Sequence, residues 1–161
     1  MPVKPIPDGY ATVTPYLIIR DAARAIEFYK QAFGAEELFR MADPNSGSIA
    51  HAEIRIGDSR IMMTDEWPHM DTLSPSSRGG TTVHFYVYVE DVDASYKQAL
   101  AAGGKELMPL KDQFYGDRTG TITDPYGHIW TIASHKEDLS AEELQQRAEA
   151  AMKEGCAGQD G

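Results

Sequence analysis

The stretch Thr14–Pro15–Tyr16–Leu17–Ile18–Ile19–Arg20–Asp21 returns seventy residues later as His84–Phe85–Tyr86–Val87–Tyr88–Val89–Glu90–Asp91. At the same offset Ala32–Phe33–Gly34–Ala35–Glu36 is matched by Ala102–Gly103–Gly104–Lys105–Glu106. An offset held across a strand-like run, a helix-like run and the turn after it signals one supersecondary unit used twice. Duplicated units tend to meet across a pseudo-twofold axis, and the space between them is a natural place for a ligand.

Working outward, Ala11–Arg20 is β-branched and aromatic with strand alternation, which sets Thr12, Thr14, Tyr16 and Ile18 on one face. Asp21 suits the N-cap of a helix over Ala22–Phe33, whose Ala25, Ile26, Phe28, Tyr29 and Phe33 fall at helical spacing, and Gly34 suits its C-cap. A strand over Glu36–Met41, a turn at Asp43–Gly47 and a second alternating strand over Ile49–Ile56 follow. That alternation places His51, Glu53 and Arg55 together on the face opposite Ala52 and Ile54. Gly57–Asp58 turns the chain into a returning strand, Arg60–Thr64.

The first unit thus reads β-α-β-β-β over about 11–67, and 68–80 is a linker rich in Ser, Pro and Gly. The second unit, about 81–139, repeats the order with strands at Thr81–Val89, Glu106–Leu110, Arg118–Thr123 and Ile129–Ser134 and a helix at Val92–Ala102. Ser140–Glu143 is a capping box that opens a C-terminal amphipathic helix, about 140–154. Residues 155–161 read as a structureless tail. The whole is one α+β domain: two βαβββ repeats plus a C-terminal helix.

A hydrophobic content of 42% and a charged content of 25% fit a globular chain that stays in water, and no apolar run approaches the roughly 20 residues of a membrane helix. Acidic residues outnumber basic ones 25 to 15, a net charge of −10, which argues against nucleic-acid and anionic-membrane partners and favours a cationic ligand. The single cysteine, Cys156, forms no internal disulfide, and Met1–Pro7 shows no apolar leader core, so a cytoplasmic setting is expected. No Gly-x-Ser-x-Gly elbow and no phosphate-cradling glycine loop is present, which leaves nucleophilic and nucleotide chemistry without support.

With its strand–Asp–helix openings and the turn Asp124–Pro125–Tyr126–Gly127–His128–Ile129–Trp130, the duplicated unit resembles the vicinal oxygen chelate superfamily. That group joins glyoxalases, bleomycin resistance proteins and extradiol dioxygenases. His51–Glu66, Tyr115–Gly120 and Asp124–Trp130 are similar to its PhnB-like branch, and the likeness covers about 11–139. The resemblance implies curved mixed sheets with a helix on each convex side and concave faces that line a binding cavity. It also implies a homodimer, with units paired within one chain or swapped between two. On that geometry Thr14, Tyr16, His84, Tyr86, Tyr88 and Thr131 face the cavity.

Metal-dependent members of the superfamily carry His, Gln or Glu at positions that here hold Thr14, Met62, His84 and Thr131. Only His84 is a good ligand for a borderline or hard divalent ion, so no metal residue and no cofactor are assigned. The alternative is one divalent ion held by His51, Glu53 and His84. Against it stands the ordinary reading in which Glu53 pairs with Arg55 or another cross-strand cation.

Trp67, Phe114 and Tyr115 lie in segments expected to overhang the cavity and are candidates for stacking a flat ligand or for packing a lid. Arg118 either meets an anionic substrate group or pairs with Asp117 or Asp124; His84 is a base or ligand-binding group, or a half-buried histidine; His128 reads as structural. Two functions of different class stand open. One is a small-molecule-binding protein of the bleomycin-resistance type, with an organic, cationic aromatic ligand and a role in antibiotic resistance. The other is a divalent-metal lyase, isomerase or dioxygenase. A binding module with a housekeeping or regulatory role is a variant of the first.

Overall fold

Helix α1 (Ala22–Phe33) begins and ends where its flanking residues dictate. In the computed structural model, which describes residues 3–157, the Asp21 carboxylate accepts the Arg24 N–H and Gly34, at φ +65°, closes the helix by donating to Lys30 O. Before it runs β1 (Tyr16–Ile19), and after it come β2 (Glu36–Ala42), β3 (Ile49–Ile56) and β4 (Ser59–Asp65). A 3-10 turn at Pro68–Met70 and the one-turn helix α2 (Pro75–Arg78) occupy the expected linker. The second repeat is β5 (His84–Tyr88), α3 (Val92–Ala101), β6 (Lys105–Asp112), β7 (Asp117–Thr123) and β8 (Ile129–His135), and α4 (Ala141–Ala157) follows.

The strands form two four-stranded mixed sheets of identical topology, β1-β4-β3-β2 and β5-β8-β7-β6. In each, the first strand runs parallel to the last, with Tyr16 opposite Met62 and Tyr86 opposite Thr131, and the other pairs are antiparallel. The two-βαβββ architecture read from the seventy-residue repeat is the architecture observed.

One face of each sheet lies under its helix. Leu17, Ile19, Ala52, Ile54, Ile61 and Met63 are buried against α1 and Ile122 and Ile132 against α3, while Trp130 of the second sheet packs on Tyr29 and Phe33 of α1. The two helices pack on each other, so these side chains join in a single core. Each fully buried aliphatic contributes roughly 1.5–3 kcal/mol, which explains why the alternating strand faces settle this way round.

Asp124 fastens the repeats together. It is 3% exposed; one carboxylate oxygen accepts the N–H groups of Tyr126 and His128, both at 2.9 Å, and the other accepts Tyr29 Oη–H at 2.7 Å and Trp130 Nε1–H at 2.9 Å. Tyr29 belongs to α1, so the β7–β8 turn of the second repeat is bonded to the helix of the first. Burial and the Asp124 charge push the Tyr29 phenol well above its ordinary range, so it stays a donor. His128 Nε2 lies 3.2 Å from Ile18 O, and this gives the structural histidine its partner.

Several boundaries differ from expectation. β1 and β5 are shorter than read, and Thr14 precedes β1 because Pro15 has no N–H to donate; only its carbonyl, accepting from Met62 N, extends the pairing. β6 is longer than Glu106–Leu110 and includes Pro109, tolerated because β6 is an edge strand with two register shifts. The C-terminal helix continues to Ala157, past the expected end and through part of the tail read as structureless. The remainder of that tail, 158–161, lies outside the described residues.

Candidate functional site

The sheet faces turned away from α1 and α3 are where chemistry can occur. Register places Tyr16, Met62, Glu53 and Phe39 in one row across the first sheet, and Tyr86, Thr131, Thr121 and Met108 in a row across the second. Tyr16, Phe39, Tyr86 and Tyr88 are 45–63% exposed, so aromatic surface faces solvent on both sheets. The alternation expected for β5 is observed: Phe85 and Val87 pack on the core while His84, Tyr86 and Tyr88 stand out from it.

On the second face a buried carboxylate organises the tyrosines. Asp117 is 5% exposed; it accepts Tyr88 Oη–H at 2.9 Å and Tyr86 Oη–H at 3.4 Å on one oxygen, and His135 Nδ1 lies 2.8 Å from the other. Tyr115 Oη is 3.3 Å from Tyr86 Oη, and the Tyr86 and Tyr88 rings are 5.2 Å apart at 44°. Hydrogen bonding to Asp117, then burial, pushes the Tyr88 phenol up; for Tyr86 burial leads, followed by Tyr115 and Asp117. His135 is raised by Asp117 first and by Asp138 second, 2.9 Å from its Nε2, against a smaller opposing effect of burial. With a carboxylate at each ring nitrogen, only the imidazolium donates to both. Asp117 and His135 were not singled out from sequence. Counting outward from the Asp124–Gly127 turn pairs them as cross-strand neighbours, and that signal was available.

On the first face Glu53, with a 12%-exposed side chain, is the centre. Its Oε1 is 3.2 Å from His51 Nε2, while Oε2 accepts the Tyr10 hydroxyl and lies 3.5 Å from Arg60 Nη1. Burial pushes Glu53 up, but the hydrogen bonds of Tyr10 and His51 and the charges of His51 and Arg60 outweigh it and hold the carboxyl below its ordinary range. Arg60 is the cross-strand cation, and Arg55 pairs with Glu36 instead. Tyr10 and Arg60 were not read from sequence; Tyr10 sits in a Pro- and Gly-rich lead-in with no periodicity to place it.

The remaining candidates are scattered. Thr14 Oγ–H donates to Ala11 O, Thr131 Oγ1 is 2.9 Å from Thr121 Oγ1, and His84 stands exposed at the start of β5. Trp67 donates its indole N–H to Thr64 and lies edge-on to His69, while Phe114 and Tyr115 stack edge-to-face at the β6–β7 connection. Arg118 pairs with Asp93 and Asp112, not with Asp117 or Asp124. A cavity of about 830 Å³ lies at the seam between the repeats, bounded by Phe33, Ile61, Tyr86, Tyr88, Gln98 and Trp130. A second, of about 600 Å³, takes Tyr16 with Val13, Leu73, Val83 and His128.

The metal inherited from the resemblance does not fit these residues. Its positions hold two hydroxyls already engaged within the protein, a thioether and one imidazole, a poor set for a hard or borderline divalent ion. Among the described residues no three His, Cys, Asp or Glu side chains converge as metal ligands, so His51 and Glu53 do not meet His84 within one chain.

Residues 10–132 match the family model of the Glyoxalase/Bleomycin resistance protein/Dioxygenase superfamily. An uncharacterized protein of Mycobacterium tuberculosis (strain ATCC 25618 / H37Rv) is 40% identical over 136 residues, 83% of this chain and 79% of that one. TioX from Micromonospora sp. ML1 superposes with a TM-score of 0.59 at 27% identity, over 81% of this chain and all of TioX. The PhnB protein from Bacillus cereus superposes at 0.61 with 24% identity, over 77% of this chain and 99% of its own, which speaks to the fold.

Proposed function

Because the chain belongs to the glyoxalase/bleomycin resistance protein/dioxygenase superfamily, we propose that it binds a small organic molecule, a cationic aromatic one, without a catalytic metal. The observation that carries this reading is the exposed Tyr86–Tyr88 pair, held by buried Asp117 beside the seam cavity. Two electron-rich rings attract a cation over their faces, and the net charge of −10 raises its local concentration. Thr14, Met62 and Thr131, where metal-dependent relatives carry ligands, support the absence of metal chemistry on donor grounds alone.

The same proposal includes a homodimer in the cytoplasm. Edge strands β1 and β5 leave Val13, Tyr16 and Val83 exposed along them, apolar surface that a second copy would cover. Calorimetric titration with bleomycin and a panel of cationic aromatics tests the ligand reading. Binding that falls at least about tenfold in Tyr86→Ala/Tyr88→Ala supports it, since two cation–π contacts are worth that much. No heat and no thermal shift across the panel refutes it. A resistance role predicts a higher inhibitory concentration in a sensitive host that expresses the protein.

A further inference from the structure

The segment before β1 forms no strand or long helix, yet it places one side chain at the centre of the first open face. Lys4 and Asp8 pair with each other, Val3 and Ile6 stand exposed, and Tyr10 N–H bonds back to Pro7 O. Among the described residues, the only hydrogen bond from 3–14 to the body of the protein is Tyr10 Oη–H to Glu53. The ring of Tyr10 lies under the Arg60 guanidinium, 4.5 Å from its centroid. Gly9, at φ +83°, lets the backbone pass so close that a Cβ there would meet the guanidinium at 2.9 Å.

Glu53 sits on an interior strand, and its row neighbours Met62 and Phe39 offer it no hydrogen-bond donor of ordinary strength. His51 and Arg60 satisfy part of the carboxylate from within the sheet. The rest is supplied by a loosely attached arm. The receptor is specific in its chemistry: a carboxylate takes an acidic O–H, a guanidinium covers the π face of the same ring, and His51 fixes the carboxylate's orientation.

We propose that Glu53, His51 and Arg60 form a binding subsite for the hydroxyaryl (phenolic) end of a ligand, and that Tyr10 fills it as an intramolecular stand-in until the ligand displaces it. The proposal deepens the reading above and rests on it for the existence of a small-molecule ligand. The arm is then a competitor whose removal raises affinity.

The test uses the full chain carrying Tyr10→Ala and titrates it with p-cresol, the tyrosine side chain freed from its backbone, by calorimetry and amide chemical shifts. Tyr10→Ala is expected to bind p-cresol at least about tenfold tighter than the unsubstituted protein, with shifts at His51, Arg60 and Met62. Toluene, which lacks the O–H, is expected to bind about tenfold more weakly than p-cresol, the factor a hydrogen bond to a charged group is worth. Adding Glu53→Leu, which has no acceptor, should erase the preference for p-cresol. Equal p-cresol affinity with and without Tyr10, or equal affinity for p-cresol and toluene, overturns the proposal. Should Tyr10→Ala not fold, Tyr10→Phe keeps the ring, and an unchanged p-cresol affinity there overturns it too. A panel of cationic aromatics that gives no heat while p-cresol distinguishes the variants defeats only the function proposed above; the converse defeats only the subsite.

Discussion

Replacing Asp124 by asparagine tests whether a buried carboxylate binds the two repeats to each other. Asparagine is isosteric, and its carbonyl oxygen can still receive the Tyr126 and His128 N–H groups. Its NH2 then faces two donors. The Tyr29 hydroxyl can rotate and accept, but the indole N–H of Trp130 cannot, and Trp130 is 1% exposed. One buried donor is orphaned and three charge-assisted bonds are weakened, for a cost of about 3 kcal/mol.

Asp124→Ala orphans the two backbone N–H groups as well and opens a void, so it should cost about 4–5 kcal/mol. Tyr29→Phe removes one donor and leaves the Asp124 oxygen still accepting from Trp130 Nε1–H, at about 1 kcal/mol. Urea unfolding followed by tryptophan fluorescence, at one protein concentration, measures all three. For a chain of this length a loss of 3 kcal/mol lowers Tm by about 6–12 °C. The expected order of damage is Asp124→Ala, then Asp124→Asn, then Tyr29→Phe. An asparagine variant as stable as the parent, or a Tyr29→Phe variant as damaged as Asp124→Asn, would falsify the argument.

Two further outcomes follow from carboxylates that hold segments in place. Glu66 accepts Ser74 N–H at 2.8 Å and Arg20 Nε–H at 3.3 Å; the polar groups of Ser74 and Ser77 beside it, against the effect of burial, bring its carboxyl from 4.5 down to about 2. Its folded value lies below its unfolded one, so the stabilisation is present above about pH 4.5 and is lost as pH falls towards 2. Glu66→Gln should flatten the urea midpoint across that window, and an unchanged acid limb would contradict it. His135 has a folded value raised above 6.5 by Asp117 and then Asp138, so its contribution is whole below about pH 6.5 and disappears as pH rises through the folded value. Following the imidazole resonances by NMR checks this directly; a midpoint at or below 6.5 contradicts it, and His135→Gln should abolish the corresponding loss of stability on the alkaline side.

Much of the fold was legible because the duplicated unit repeats its punctuation as well as its hydrophobicity. Asp21 and Asp91 cap helices, Gly34 ends one, and the alternation of Ile49–Ile56 survives unchanged as β3. The reading failed where tertiary context overrides local preference: Pro109 inside an edge strand, and short helices in a Ser- and Pro-rich linker. The site was less legible because its groups gather by register and not by sequence spacing. Tyr88, Asp117 and His135 come from three strands, and Glu53 is completed by Tyr10, whose position follows from no periodic pattern.

Register also reveals how the two copies diverged. Tyr16 and Tyr86 occupy matching places beside the last strand of each unit, opposite Met62 and Thr131. One strand further in, the match of Ala52 with Gly120 sets Glu53 against Thr121 and His51 against Thr119. The first copy therefore carries its carboxylate in mid-sheet beside an imidazole and a guanidinium, whereas the second carries its own at the start of β7, beneath two tyrosines. A shared scaffold edge with an altered interior gives two faces of unlike chemistry, one suited to an O–H donor and one to a cation.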